Sequence, residues 1–267
     1  MALAVGVFGS TGRMGRMVTR AVTEADGMTV NKAADRAGSA HLGADIGDLA
    51  GVGSLGVSVT DDVDAVLGVD VAIDFTLPEA TLVHAARAAA SGTPLVIGTT
   101  GLTNAQEATL AEHAKTTAIV YAPNMSLGVN LLLAVVEQVS AALDEAWDIE
   151  IVEMHHNRKV DAPSGTALGL GRAAAKGRGR AFDDVAVLSR EGMTGPREQG
   201  QIGFATLRGG DVIGDHTVIF AGAGERVEIG HKASGRDVFA AGAVRAARWV
   251  AGRTPGLYTM RDVLGIT

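Results

Sequence analysis

A short apolar run over residues 3–8 opens into glycines spaced three apart, Gly6, Gly9, Gly12 and Gly15, and passes into a helical pattern over residues 14–24. A strand, a glycine turn and a helix in that order lead to parallel strands joined by right-handed crossovers. Glycine lets the backbone approach a pyrophosphate, and the helix start offers free N–H groups at the positive end of its dipole. The spacing Gly9-Ser10-Thr11-Gly12-Arg13-Met14-Gly15 is not the standard G-x-G-x-x-G, and alone it marks only a tight turn. Its place in the first turn, with Asp35 at the end of the second strand-like run (residues 28–34), changes that reading. An acid about 20 residues past such a loop is in reach of a ribose hydroxyl. We therefore expect dinucleotide binding. An acid there favours NAD, while nearby Arg13 and Arg36 can accommodate the extra phosphate of NADP, so the cofactor is NADH and/or NADPH. Arg36 reads equally as a solvated surface residue.

The first half continues with strand-like runs over residues 69–75, 93–97 and 117–121 and helical stretches over 78–90 and 103–115. Pro78 stands at a first helical turn, where proline is tolerated. Asp74-Phe75-Thr76 and Gly98-Thr99-Thr100-Gly101 each follow a parallel strand, so both belong at the carboxyl edge of the sheet, where ligands bind. Either is also a plausible helix cap. Beyond Pro123 the rhythm changes to a long apolar helix (127–143), a strand (148–156), a helix (163–176) and consecutive strand-like runs at 203–208, 217–220 and 226–231. Consecutive strands without helices indicate a mixed or antiparallel sheet in a second domain. The last helix, 237–251, is amphipathic and can return to either domain. The fold class is α/β: a Rossmann-like parallel-sheet domain plus an α+β substrate and oligomerisation domain. We set the first at residues 1–123 and 236–267 and the second at 124–235.

Composition narrows the function classes. The 36 glycines lack a fixed period and prolines number six, which excludes a collagen-like chain. A net charge of −7 argues against non-specific nucleic-acid binding, though a local basic cluster can still hold a small anion. With no cysteine, disulfides, thiolate metal sites and cysteine nucleophiles are excluded. No stretch reaches the roughly 18 apolar residues of a membrane span, and no basic leader precedes the first apolar run. We expect a cytoplasmic protein.

The densest chemistry lies in residues 153–166, from Glu153 through His155, His156, Asn157, Arg158 and Lys159 to Ser164, Gly165 and Thr166. If extended structure persists, His155, Asn157 and Lys159 share one face and His156 and Arg158 the other. A histidine and a lysine on one face supply two proton donors. Pro163-Ser164-Gly165-Thr166 then opens a helix whose N–H groups and hydroxyls form a receptor for a carboxylate. Ser164 and Thr166 are also ordinary N-cap residues. Adjacent histidines diverge on a strand and nothing nearby completes a ligand set, so we assign no metal. His41, His84, His113, His216 and His231 are scattered and receive no role.

Residues 153–167, EMHHNRKVDAPSGTA, resemble the signature segment of the dihydrodipicolinate reductase family. GSTGRMG (9–15), DFTLPEAT (74–81), GTTG (98–101), APNMSLGVN (122–130) and the stretch 208–236 also fit, so the resemblance runs along essentially the whole chain. It implies hydride transfer from NADH or NADPH to a cyclic, unsaturated imine bearing two carboxylates, in diaminopimelate and lysine biosynthesis. It implies His155 as acid/base residue and Lys159 as proton donor. His156, Ser164, Gly165, Thr166 and Arg236 would hold the dicarboxylate. On the cofactor side it implies Gly9, Ser10, Thr11, Gly12, Arg13, Met14, Asp35, Arg36, Gly98, Thr99, Thr100, Ala122, Pro123, Asn124 and Met125, to which the position of the 74–76 loop adds Phe75 and Thr76. It also implies a homotetramer assembled through the second domain's sheet. Asp35 stands where the family often has glutamate. Two other readings are a related amino-acid dehydrogenase, which should lack the HHNRK segment, and a non-catalytic dinucleotide sensor, which would not need it.

Overall fold

A computed structural model describes residues 2–266. Strands and helices alternate first: β1 (Leu3–Phe8), α1 (Arg13–Glu24), β2 (Met28–Ala34), α2 (Ile46–Ala50), β3 (Val59–Thr60), β4 (Val71–Asp74), α3 (Pro78–Ser91), β5 (Leu95–Ile97), α4 (Asn104–His113) and β6 (Ala118–Tyr121). Then come α5 (Leu127–Ala142), β7 (Asp148–His155), α6 (Gly165–Gly177), α7 (Phe182–Val185), β8 (Ala186–Val187), β9 (Ile202–Arg208), β10 (Gly214–Gly222) and β11 (Glu225–Ala233). The chain continues with α8 (Asp237–Val250), β12 (Gly256–Tyr258) and α9 (Met260–Leu264). It divides into two compact units, one built from the chain up to Leu127 and again from Asp237 onward, the other from Gly128–Arg236.

In the first unit a seven-stranded sheet has the order β12-β6-β5-β4-β1-β2-β3, with all its pairings parallel. The order reverses between β1 and β4, and loops leaving the carboxyl ends there diverge into a ligand crevice. Helices cover both faces, so strands such as β4 (Val71, Ala72, Ile73, Asp74) are buried throughout rather than alternating. The loop between β1 and α1 is fixed by close approach. Gly9 has φ +62°, and a Cβ on Gly15 would run into the Gly9 carbonyl oxygen and lie 2.6 Å from Ser10 Cα. The glycine-rich passage after β2, which has no periodicity to read, is ordered by one side chain. Asp45 caps α2 and accepts from the N–H groups of Gly47, Asp48, Leu55 and Val57. Those bonds, led by Leu55, hold its carboxyl far below the ordinary value.

The second unit has a five-stranded mixed sheet, β11-β10-β7-β9-β8. β10 runs antiparallel to β7 and β11, while β7 and β8 run parallel to β9. The period-2 alternation of β7 buries Ile149, Ile151, Glu153 and His155 on one face. Register aligns neighbours into rows on that face: Phe220, Ile149 and Ile202, then Val218, Ile151 and Phe204, then His216, Glu153 and Thr206. The apolar rows form the core with Leu132 and Val136 of α5 and Leu170 and Ala174 of α6. The third row is polar and meets the start of α6, where the Ser164 hydroxyl lies 3.1 Å from His216 Nε2. On the opposite face Val152, Ile219 and Leu207 are only partly covered or exposed.

Substituting Gly15→Ala should destabilise the first unit by about 1–3 kcal/mol, because the blocking atoms are backbone, and urea unfolding will show it. The second unit should be acid-sensitive. Burial, reinforced by His155, pushes the His216 ring down to about 4. An unfolded histidine titrates near 6.5, so as pH falls the unfolded chain takes the proton first. Stability should be flat above that value and drop by about 3 kcal/mol between it and pH 4. In His216→Asn the slope of the urea midpoint over this window should shrink, and an unchanged slope would rule out His216 as the source.

Candidate active site

The loops that leave the carboxyl ends of β1, β2, β4, β5 and β6 hold the expected cofactor residues at one edge of the sheet. A cavity of about 510 Å³ there is lined by Gly9, Thr11, Gly12, Asp35, Arg36, Phe75 and Thr76, together with His84. α1 begins at this cavity with Gly12 as N-cap and no side chain capping its N–H groups, which suits a pyrophosphate. Asp35 fastens the loop to the end of β2. Its Oδ2 accepts from the Thr11 hydroxyl and, at 3.1 Å, from the Thr11 N–H, and its Oδ1 accepts from the Arg36 N–H at 2.7 Å. Carboxylate oxygens carry further lone pairs, so a ribose hydroxyl can still be received. The residues present therefore fit a nicotinamide dinucleotide.

The other expected cofactor residues sit elsewhere on the same edge. Ser10, Thr99 and Met125 have buried side chains, so what they can offer a ligand is chiefly backbone. Gly98 is required by Phe75, whose ring edge would collide with any Cβ there. Thr99 bonds Thr81 through hydroxyls 2.7 Å apart and receives the Thr76 N–H at 3.2 Å, which ties the two loops together. Asn124 Oδ1 accepts from Ser126 N–H at 2.9 Å. Arg13, Met14, Thr100, Ala122 and Pro123 do not line the cavity.

In the second unit the chemistry gathers around Glu153, whose side chain has almost no exposure. Its Oε2 lies 2.5 Å from His155 Nδ1, and Arg208 clasps both oxygens at 2.8 and 2.9 Å. Oε1 also accepts from the Ser164 N–H at 3.0 Å. Burial works to raise the Glu153 carboxyl, but the bonds from Arg208, His155 and Ser164 prevail and hold it below its ordinary value. For His155 burial is the largest influence and lowers the ring. Glu153 opposes this, and the charges of Lys159 and Arg208 add to the lowering. His155 is thereby held neutral near pH 7, with Nδ1 facing Glu153 and Nε2 available on the opposite side. His216 stands edge-on to it, ring centroids 5.0 Å apart.

β7 ends at His155, so the alternation conditional on a longer strand stops there and Lys159 reaches the site by a turn. Its N–H closes on the His156 carbonyl at 3.1 Å, and its Nζ pairs with Asp161 Oδ1 at 2.9 Å. That pairing holds the Asp161 carboxyl low. The His156 N–H bonds the Val212 carbonyl at 2.7 Å, while its buried Nδ1 has no protein partner among the described residues. Ser164 is the N-cap of α6, accepting from Ala167 N–H, and Gly165 and Thr166 form the first turn. Arg236 lies beyond β11, partly exposed, and shares no bond with the Glu153 cluster among the described residues. Sequence reasoning missed Glu153, Arg208 and His216. The i, i+2 spacing of Glu153 and His155 on an otherwise apolar strand face was the available signal for the first, whereas the others arrive through strand pairing.

The dihydrodipicolinate reductase N-terminus family model matches residues 3–125 and the corresponding C-terminus model matches residues 128–264. The 4-hydroxy-tetrahydrodipicolinate reductase of Alkalilimnicola ehrlichii is 56% identical over 269 residues, and that of Thiobacillus denitrificans 53% over 267, each alignment covering 100% of both chains. A solved dipicolinate-bound dihydrodipicolinate reductase from Paenisporosarcina sp. TG-14 superposes with a TM-score of 0.76 at 24% identity, covering 97% of this chain and 98% of that one. An amine dehydrogenase from Mycobacterium smegmatis reaches a TM-score of 0.59 at 15% identity, covering 96% and 94%. Likeness at those identities speaks for the fold. The family rests on the models that span both units and on full-length relatives more than half identical, and by these the chain belongs to the dihydrodipicolinate reductase family.

Proposed function

We propose that this chain reduces 4-hydroxy-tetrahydrodipicolinate, or dihydrodipicolinate formed from it by loss of water, to tetrahydrodipicolinate in diaminopimelate and lysine biosynthesis. The single observation that carries the reading is the Glu153–His155 pair beside the α6 start, within a chain whose full-length relatives bear that activity in their names. The reduced nicotinamide of NADH or NADPH, when bound along the loops of the first unit, supplies the hydride. The remaining work falls to the protein. The α6 N-terminus with Ser164, Gly165 and Thr166 receives one substrate carboxylate through N–H and hydroxyl groups. His156 and Arg236 assist with the second. Reduction places a negative charge on the conjugated ring, which must gain a proton, and Lys159 is the donor. His155 exchanges protons through Nε2, its ring held by Glu153 in one orientation.

The dipicolinate bound by the related Paenisporosarcina reductase supports a small dicarboxylate as ligand. A homotetramer, assembled through the partly uncovered face of the second unit's sheet, suits the apolar Val152, Ile219 and Leu207 there. We assign the protein to the cytoplasm, and no described helix is long and apolar enough to cross a membrane.

A coupled assay with pyruvate, aspartate semialdehyde and the upstream synthase should show synthase-dependent loss of NADH or NADPH absorbance. No loss with either, given an active synthase, would sink the assignment. Lys159→Ala should lower kcat by about 10²–10⁴ while dinucleotide affinity, read by nicotinamide fluorescence, stays within about twofold. Full turnover in that variant would remove Lys159 from the mechanism. Ile219→Glu should convert the tetramer to smaller species in sedimentation velocity, and an unchanged tetramer would place the interface elsewhere.

A further inference from the structure

His84 has no part in the chemistry above, yet its ring is fixed on two sides. Nδ1 lies 2.9 Å from Oδ2 of Asp74, a carboxylate with no exposed surface at the end of β4. One ring face stacks on Phe8, at the end of β1, with centroids 4.0 Å apart and planes within 8°. Asp74 is held in turn, since its Oδ1 accepts from the Thr76 N–H at 2.9 Å and the Thr76 hydroxyl at 2.6 Å. A carboxylate only accepts, so Nδ1 carries the proton, and in the neutral ring Nε2 is left as an acceptor. Among the described residues Nε2 has no protein partner.

His84 lines the 510 Å³ cavity together with Asp35, Arg36, Asp61 and Val63. Asp35 and Arg36 are the residues expected at the ribose that carries the extra phosphate of NADP, the ribose distal to the nicotinamide. The cavity is therefore the place for the base at the far end of the dinucleotide, with Val63, Leu77 and Ala80 as apolar walls. Resting on the dinucleotide reading above, we propose that His84 selects that base: Nε2 accepts from the exocyclic amine of adenine, and Asp74 is the positioning residue that sets the tautomer. A 6-keto purine places an oxygen lone pair against the Nε2 lone pair and is disfavoured.

The test titrates the full chain with NADH and with reduced nicotinamide hypoxanthine dinucleotide, followed by nicotinamide fluorescence, and measures turnover with both. The hypoxanthine form should bind at least about tenfold more weakly, one lost hydrogen bond, with kcat at saturation unchanged. His84→Phe keeps the stack on Phe8 but has no lone pair, and should bring the two Kd values within about twofold by weakening NADH. In Asp74→Asn the amide oxygen must stay with the Thr76 N–H, so the amide NH₂ faces Nδ1. The ring then accepts at Nδ1 and donates from Nε2, and the hypoxanthine form should become the tighter ligand. Equal Kd values in the unaltered protein, or an unchanged adenine preference in Asp74→Asn, would overturn the proposal. Failure of both dinucleotides to bind would instead overturn the nucleotide reading, and this inference with it.

Discussion

The buried carboxylate of Glu153 is the constraint on which the second unit's chemistry depends. An ionised acid without solvent is costly unless every lone pair is used, and here Arg208, His155 and the Ser164 N–H use them. Those partners come from β9, from β7 itself and from the start of α6. Removing any of them leaves a charge under-compensated, so the acid binds three elements into one geometry. The same bonds orient the His155 ring and aim the α6 terminus. Rigidity of the fold and placement of the proton-transfer groups are thus one interaction seen from two sides.

The first unit solves a different problem, how to bring backbone close to an anion. Its answer is absence of side chains, with Gly15 against the Gly9 carbonyl and Gly98 against the Phe75 ring. Asp35 then closes the loop onto β2. The loops at the crevice are tied by bonds within the protein, from Asp35 to Thr11 and from Thr99 to Thr76 and Thr81, and loops held in this way cost less to order on binding.

Much of this was legible in the sequence because it is local. β2 runs over the same residues as its strand-like run, the strand–glycine–helix order pointed to the parallel sheet, and the GTTG and DFT loops emerged at the expected sheet edge. The small elements were not legible. β3 and β12 are too short for periodicity, and α2 exists because Asp45 gathers distant N–H groups. In the candidate site, His155, Lys159 and Ser164 stood in one readable segment. Arg208 and His216 reach it through register across β9 and β10, information that no spacing along the chain contains. His84 illustrates the same limit, since its partners Asp74 and Phe8 belong to two other elements.

The first unit's discontinuity has a consequence for synthesis. Ala243, Ala246 and Ala247 of α8 are fully buried in the same core as Val5 and Ile73 of β1 and β4. That core lacks a wall until α8 has been made, whereas residues 128–236 carry a separate core of their own. On the ribosome, the inserted unit has all its parts first, and the nucleotide-binding unit, begun earliest, is the last to be completed.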